Sequence, residues 1–114
     1  MKSEVRLEVL AWTAQRLTAL VLAACVVVHL VTIVLAVRGG LSGLEILART
    51  RGSLVWLLFY GGFAVAVAVH AAIGLRAVVR EMTPWRGRSL DGAMAVLAIA
   101  LAALGLRAAL GLYA

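Results

Sequence analysis

The sequence predicts an all-α integral membrane protein with three transmembrane helices in a single domain, residues 1–114. Composition is the first reason, since 65% of the residues are hydrophobic, 14% are charged and the mean hydropathy is +1.09. A soluble domain of this size could not bury so much apolar surface. The second reason is that Lys, Arg, Asp and Glu are absent from three long stretches, 17–37, 53–75 and 92–106. Such stretches suit a bilayer, where the backbone must be helical because lipid supplies no hydrogen-bond partner.

The first helix is predicted at about residues 12–37, and Gly39 and Gly40 follow its end. The connection after it contains a short, mostly apolar piece, 44–48. We expect this piece to lie at the membrane interface or to cap a space below it.

The second helix is predicted at about residues 53–82, because Pro84 disfavours a helical conformation of the residue before it. The third helix is predicted at about residues 90–113. Ser89 or Asp91 is expected to cap its N-terminus, since short polar side chains are preferred at that position.

The basic residues lie at the edges of the apolar stretches, and the net charge is +6. Lys and Arg flank membrane spans in this way and are more frequent on the inner side. Their distribution favours the N-terminus and the second connection on the inner, cytoplasmic side. Because the basic residues form no patch with interleaved exposed aromatics, we expect a lipid membrane and no nucleic acid as partner.

Two histidines, His29 and His70, are the candidate functional residues deep within the predicted spans. An imidazole in hydrocarbon is costly without a polar partner, so each suggests a functional site. One alternative is a packing histidine that is hydrogen-bonded to a neighbouring helix. Neutral imidazole is also a common ligand of haem iron, and two histidines from different helices give a six-coordinate electron-transfer haem.

Small residues lie on either side of His70 along its helix face. Ala66 and Gly74 are one turn away and leave the space that a flat macrocycle near the backbone needs, although small residues also favour helix packing. Phe63 and Phe59 lie two and three turns before the histidine. The face of the first helix is more mixed and contains Thr18, Leu22, Cys25, His29, Ile33 and Ala36. There is no Cys-x-x-Cys-His motif, so any haem would be bound non-covalently.

The two histidines are expected at different depths. At 1.5 Å per residue, His29 lies about 20 Å from the inner marker Arg16, and His70 about 9 Å from the inner marker Arg76. Two ligands of one iron must be nearly level, so a difference of about 10 Å argues against a shared iron. The sequence thus favours two haems, each of which takes its second ligand from elsewhere.

Two segments resemble a known family. Residues 70–76 (HAAIGLR), followed by Arg80 and Glu81, resemble the His-x-x-x-Gly-Ile-Arg run of the cytochrome b membrane anchor of succinate dehydrogenases and fumarate reductases. That run has an acidic residue eleven positions after its histidine. Residues 12–18 (WTAQRLT) resemble the start of the family's first helix, where an arginine and a hydroxyl residue lie beside quinone and the haem propionates.

The resemblance implies half of a haem-binding helical bundle in the bacterial inner membrane. In this family the anchor docks an iron-sulfur subunit and a flavoprotein subunit on the inner surface and carries electrons to or from membrane quinone. The chain would therefore belong to an enzyme without itself containing catalytic residues. A second anchor subunit or a second copy of this chain is the implied partner within the membrane.

Carried over residue by residue, His70 resembles the ligand of the inner haem b and His29 the ligand of the outer one. Arg16 matches the arginine beside quinone and a propionate, and Arg76 is a second candidate for cofactor binding. The implied quinone-binding residues are Arg16, Thr18 and Glu81.

Three residues depart from the family pattern: Gln15 replaces a histidine of some members, Met82 a quinone-bonding tyrosine of a sister subunit, and Leu75 an isoleucine. The departures concern the quinone contacts more than the haem. Two other functions stay open. They are a haem-free structural anchor and a small transport or assembly subunit, each with hydrogen-bonded histidines in its core.

Overall fold

The computed structural model describes residues 1–114 and contains four helices and no strands. They are α1 (Lys2–Arg38), α2 (Gly43–Thr50), α3 (Leu54–Met82) and α4 (Arg88–Tyr113). Helices α1, α3 and α4 are long and apolar enough to cross a membrane. The predicted all-α fold with three spans is therefore confirmed.

The three long helices alternate in direction, which gives the molecule two distinct ends. At one end, Glu8 near the start of α1 pairs with arginines near the end of α3. At the other end, α2 is bonded to the last turn of α4. We call these the Glu8 end and the α2 end. The molecule extends 54 Å along its longest axis and 25 and 23 Å across it.

Helix α1 begins at Lys2, ten residues before the predicted start at residue 12. The prediction followed hydropathy, which detects the apolar part of a helix and not the helical turns that continue into water. Glu4 lies in the first turn, where a negative charge interacts favourably with the helix dipole. With 37 residues, α1 is about 55 Å long, so it extends well beyond a hydrocarbon layer of about 30 Å.

Helices α3 and α4 agree with the predicted spans to within two residues, and α3 ends just before Pro84 as expected. The cap of α4 differs from the prediction. The N-cap is Gly87, whose φ of +87° favours glycine, and Ser89 and Asp91 both lie within the helix. Ser89 instead accepts a hydrogen bond of 2.7 Å from the indole N–H of Trp85.

Helix α2 is fixed at both of its ends. At its start, the Ser42 hydroxyl accepts the backbone N–H of Glu45, and the Glu45 carboxylate accepts the backbone N–H of Ser42 at 2.6 Å. The bond from the Ser42 backbone favours the charged carboxylate and is the largest cause that lowers the pKa of Glu45. At its end, the Thr50 hydroxyl donates 2.9 Å to the carbonyl oxygen of Leu112 in α4. The predicted short piece, 44–48, thus belongs to a helix that covers one end of the three long helices.

The contact between α3 and α4 depends on small residues. A Cβ added at Gly105 would lie only 2.5 Å from the Cβ of Ala64, so the two backbones are very close there. The buried residues of α3 are Ala66, Ala68 and Ala72. Close approach of this kind provides the van der Waals packing that holds helices together in lipid. Helix α1 has no buried residue and packs on α3 rather than on α4, so α3 is the central helix.

Ion pairs join all three spanning helices at the Glu8 end. Arg76 donates from Nε to Asp91 at 2.6 Å and lies 3.5 Å from Glu8. Arg80 lies 3.1 Å from the same Glu8 oxygen. Because exposed pairs contribute only about 0.2–1 kcal/mol each, this cluster mainly sets the relative position of the helices.

Replacing Gly105 with Ala should weaken the α3–α4 contact, because the added methyl group would meet Ala64. Overpacking of this kind costs about 1–3 kcal/mol. We expect Gly105→Ala to lower the midpoint of unfolding when the detergent-solubilised protein is titrated with sodium dodecyl sulfate.

Gly111 in the same helix supplies the matched control, since nothing lies within 4 Å of its added Cβ. Gly111→Ala should leave the midpoint unchanged or raise it, because alanine favours a helix over glycine by about 1 kcal/mol. Equal midpoints for Gly105→Ala and the unaltered protein would contradict the close α3–α4 contact.

Candidate functional site

Both histidines lie where α1 faces α3, at two different levels. Nδ1 of His70 lies 3.2 Å from Oγ1 of Thr18, and Nδ1 of His29 lies 3.2 Å from the hydroxyl oxygen of Tyr60. His70 follows Tyr60 by ten residues on α3, which is about 15 Å along the helix axis. His70 is therefore nearer the Glu8 end and His29 nearer the α2 end, a separation in the direction that the sequence predicted.

Thr18 is fixed by bonds within its own helix as well as by His70. Its hydroxyl donates to the carbonyl oxygen of Ala14 at 2.7 Å, with the carbonyl oxygen of Gln15 at 3.2 Å. The sequence suggested that this hydroxyl lies near quinone. The structure shows that it contacts His70.

Gln15 is a residue of this site that the sequence did not single out as functional. Its side chain packs against α3, where a Cβ added at Gly74 would lie 3.1 Å from its Nε2. Its Oε1 is buried and has no hydrogen-bond partner. An unpaired acceptor is costly at this depth, and this one lies buried where α1 packs on α3. The available signal was that Gln15 lies three residues before Thr18, on the same helix face.

Aromatic rings surround His29. Tyr60 and Phe63 both meet its ring edge to face, with centroid distances of 5.6 and 5.8 Å. Tyr60 lies ten residues before His70 on α3 and was not among the site residues that the sequence predicted. The alternating spacing of three and four from Tyr60 through Phe63, Val67 and His70 to Gly74 places these residues along one face.

A cavity of about 700 Å³ lies at the α2 end and includes His29 in its lining. Trp56 and Tyr60 form one wall, with their rings stacked at a centroid distance of 5.8 Å. Arg49 and Thr50 contribute polar groups to the lining from α2. A volume of this size is typical of small-molecule and cofactor sites, which run from about 300 to 1,000 Å³.

The remaining predicted site residues are not gathered at one point. Arg16 is exposed and lies with its guanidinium carbon 4.9 Å from the ring centroid of Trp12. Arg76 is held by Asp91 and Glu8. Glu81 is exposed and follows His70 by eleven residues, or about 16 Å along α3. The structure therefore brings Thr18 to His70 but does not bring Glu81 to the level of Thr18.

The two histidines could each supply one nitrogen ligand to a metal whose other ligands come from a cofactor. No group of three or more His, Cys, Asp or Glu side chains could hold a bare metal ion. Each histidine instead has Nδ1 engaged, while its Nε2 makes no hydrogen bond in the chain and is not enclosed. A single available imidazole nitrogen at each level suits haem iron, because the macrocycle supplies most of that iron's ligands.

Comparison with known proteins identifies the family of the chain. Residues 2–106 match the family model described as succinate dehydrogenase/fumarate reductase transmembrane subunit. Searches of curated proteins and of solved structures found no significant match. The family match includes α1, α3, both histidines and most of α4. The chain therefore belongs to the family of transmembrane subunits of succinate dehydrogenase and fumarate reductase.

Proposed function

We propose that the chain is the haem b-binding membrane anchor of a succinate:quinone oxidoreductase or fumarate reductase. The supporting observation is that both membrane histidines have Nδ1 engaged and Nε2 without a partner in the chain. An open ring nitrogen at membrane depth is costly for a residue that serves packing alone, whereas a metal ligand requires it. This favours the haem-binding anchor over a haem-free structural anchor.

In this proposal His70 binds one haem b near the Glu8 end, and His29 binds a second near the α2 end. Their separation of about 15 Å along the helix axis supports two sites, since ligands of one iron are level. Each histidine would supply one ligand to its haem iron, and a second anchor subunit or a second copy of this chain would supply the other. When bound, haem b supplies a one-electron redox centre, and the protein residues bind and orient it.

Arg16 and Arg76 are the proposed partners of the haem propionates, and they differ in how many contacts they already make within the chain. Arg16 makes no ion pair within the chain, so its guanidinium is available to a carboxylate. Arg76 already donates from Nε to Asp91 and from one terminal nitrogen to Glu8, which leaves its other terminal nitrogen for a propionate. Arginine suits this role because its planar fork matches a carboxylate.

The Glu8 end is the proposed inner side, with the N-terminus in the cytoplasm of a bacterium. Exposed Arg86 and Arg88 lie in and after the turn between α3 and α4 at this end, in agreement with the positive-inside rule. The iron-sulfur and flavoprotein subunits would dock here. This chain would then contribute anchoring and electron transfer, while the flavin chemistry takes place in its partners.

Quinone is the proposed electron partner in the membrane, and Arg16 is its principal contact. A guanidinium donates hydrogen bonds to a quinone carbonyl and stabilises the negative charge that develops on reduction. A nearly apolar groove of about 660 Å³ begins beside Thr18 and runs along α3, which suits an isoprenoid tail. Glu81, farther toward the Glu8 end, would accept or deliver protons at the membrane surface.

Replacing either His70 or His29 with Ala should remove one of the two haems from the purified complex, because each variant would lose one residue that holds a haem. Haem content by the pyridine haemochrome method and potentiometric titration would measure this. The surviving haem should show a different midpoint potential in the two variants.

Cys25→Ala is the control, since Cys25 lies one turn from His29 on the same face of α1 and forms no disulfide. It should keep both haems. Loss of a single haem in His70→Ala with no change in His29→Ala would reduce His29 to a packing residue. An unaltered complex without haem would overturn the proposal in favour of the structural anchor.

Replacing Arg16 with Gln should slow quinone reduction more than succinate oxidation with a soluble dye. Losing a hydrogen bond to a charged group costs about 1.5–3 kcal/mol, or about ten- to a hundredfold in kcat/KM for quinone. Arg6→Gln, which removes a positive charge from the exposed first turns of α1, should leave both rates unchanged. Equal losses of both activities in Arg16→Gln would indicate a role in assembly.

A further inference from the structure

The contacts of Thr18 determine which way its hydroxyl hydrogen points. Oγ1 lies 2.7 Å from the carbonyl oxygen of Ala14 and 3.2 Å from that of Gln15. Carbonyl oxygens only accept hydrogen bonds, so the single hydroxyl hydrogen is donated to them. The same oxygen lies 3.2 Å from Nδ1 of His70. Because its hydrogen is already used, the hydroxyl accepts from the ring, and Nδ1 of His70 carries the hydrogen.

We infer that Thr18 is a positioning residue that holds His70 in the tautomer able to bind haem iron. A neutral imidazole with its hydrogen on Nδ1 has its lone pair on Nε2, which is the atom that makes no other bond here. The inference rests on the proposed haem-binding function and extends it. It gives the Thr18 hydroxyl a role in ligand chemistry that is separate from contact with quinone.

His29 lacks this arrangement. The Tyr60 hydroxyl has no acceptor in the chain apart from Nδ1 of His29, so its hydrogen is free to be donated to that nitrogen. In that state the His29 hydrogen lies on Nε2, which then has no lone pair for a metal. The structure thus fixes the ligand tautomer at His70 and leaves it unfixed at His29.

The Nδ1–H bond also affects the iron that His70 would bind. A partner that accepts this hydrogen makes the imidazole a stronger donor, and loss of such a partner weakens metal binding by about ten- to a hundredfold. Stronger donation stabilises the ferric state. Removing the acceptor should therefore raise the midpoint potential of the haem bound by His70 and speed its loss.

The test uses the purified complex with Thr18→Val, which keeps the side-chain shape and removes the acceptor. Thr18→Ala is a second variant that leaves more space, in case valine prevents insertion. Both should raise the midpoint potential of the His70 haem and increase its rate of transfer to apomyoglobin by about ten- to a hundredfold. Thr18→Ser restores the hydroxyl and should return both values to those of the unaltered complex.

Thr32→Val is the matched control, because the Thr32 hydroxyl donates to the backbone carbonyl of His29 and does not contact a ring nitrogen. It should leave the His70 haem unchanged. An unaltered potential and haem transfer rate in Thr18→Val or Thr18→Ala, with haem still bound through His70, would overturn the inference alone. A complex that keeps its full haem content in His70→Ala would overturn the proposed function instead.

Discussion

A neutral imidazole within hydrocarbon keeps its position only while polar groups satisfy it, and both histidines of this chain find that group on the opposite helix of the α1–α3 pair. Because α1 buries none of its residues, packing alone positions it weakly. The two hydrogen bonds, one at each level, therefore act together with the Glu8 ion pairs to fix how far α1 is shifted and rotated against α3. The same bonds occupy Nδ1 of each ring and leave Nε2 without a partner in the chain, so helix position and the free ring nitrogens depend on the same two contacts.

The rest of the molecule holds α3 so that this face stays available. Alanines and Gly105 place α4 against the other side of α3, and at Gly105 no large side chain separates the two backbones. At the Glu8 end the arginines of α3 reach both neighbouring helices, and at the α2 end Thr50 bonds to Leu112. Tight packing on one side and polar contacts on the other explain how a chain with few buried residues presents two ring nitrogens at defined levels.

Hydropathy and the helical rise per residue predicted the three spans and the different levels of the two histidines. They did not predict features that depend on tertiary partners. Hydropathy did not detect the early start of α1, because the first turns of that helix are charged. The pairing of Arg76 with Asp91 could not be predicted, because it depends on how α3 and α4 pack together. Tyr60 and Gln15 were also missed as neighbours of the histidines. Their roles follow from which face of α1 meets α3, and the sequence alone does not give that rotation.

Helix α1 is much longer than the membrane is thick, and Glu8 ties its projecting part to the arginines of α3. A subunit that binds at this end would meet a surface whose backbone is already ordered. A flexible arm loses conformational entropy when it becomes ordered on association. A rigid helix has already lost that entropy on folding, so its binding is not opposed by it. The projecting turns of α1 would thus favour tight assembly even with a modest contact area, and they would fix the orientation in which a partner approaches the membrane.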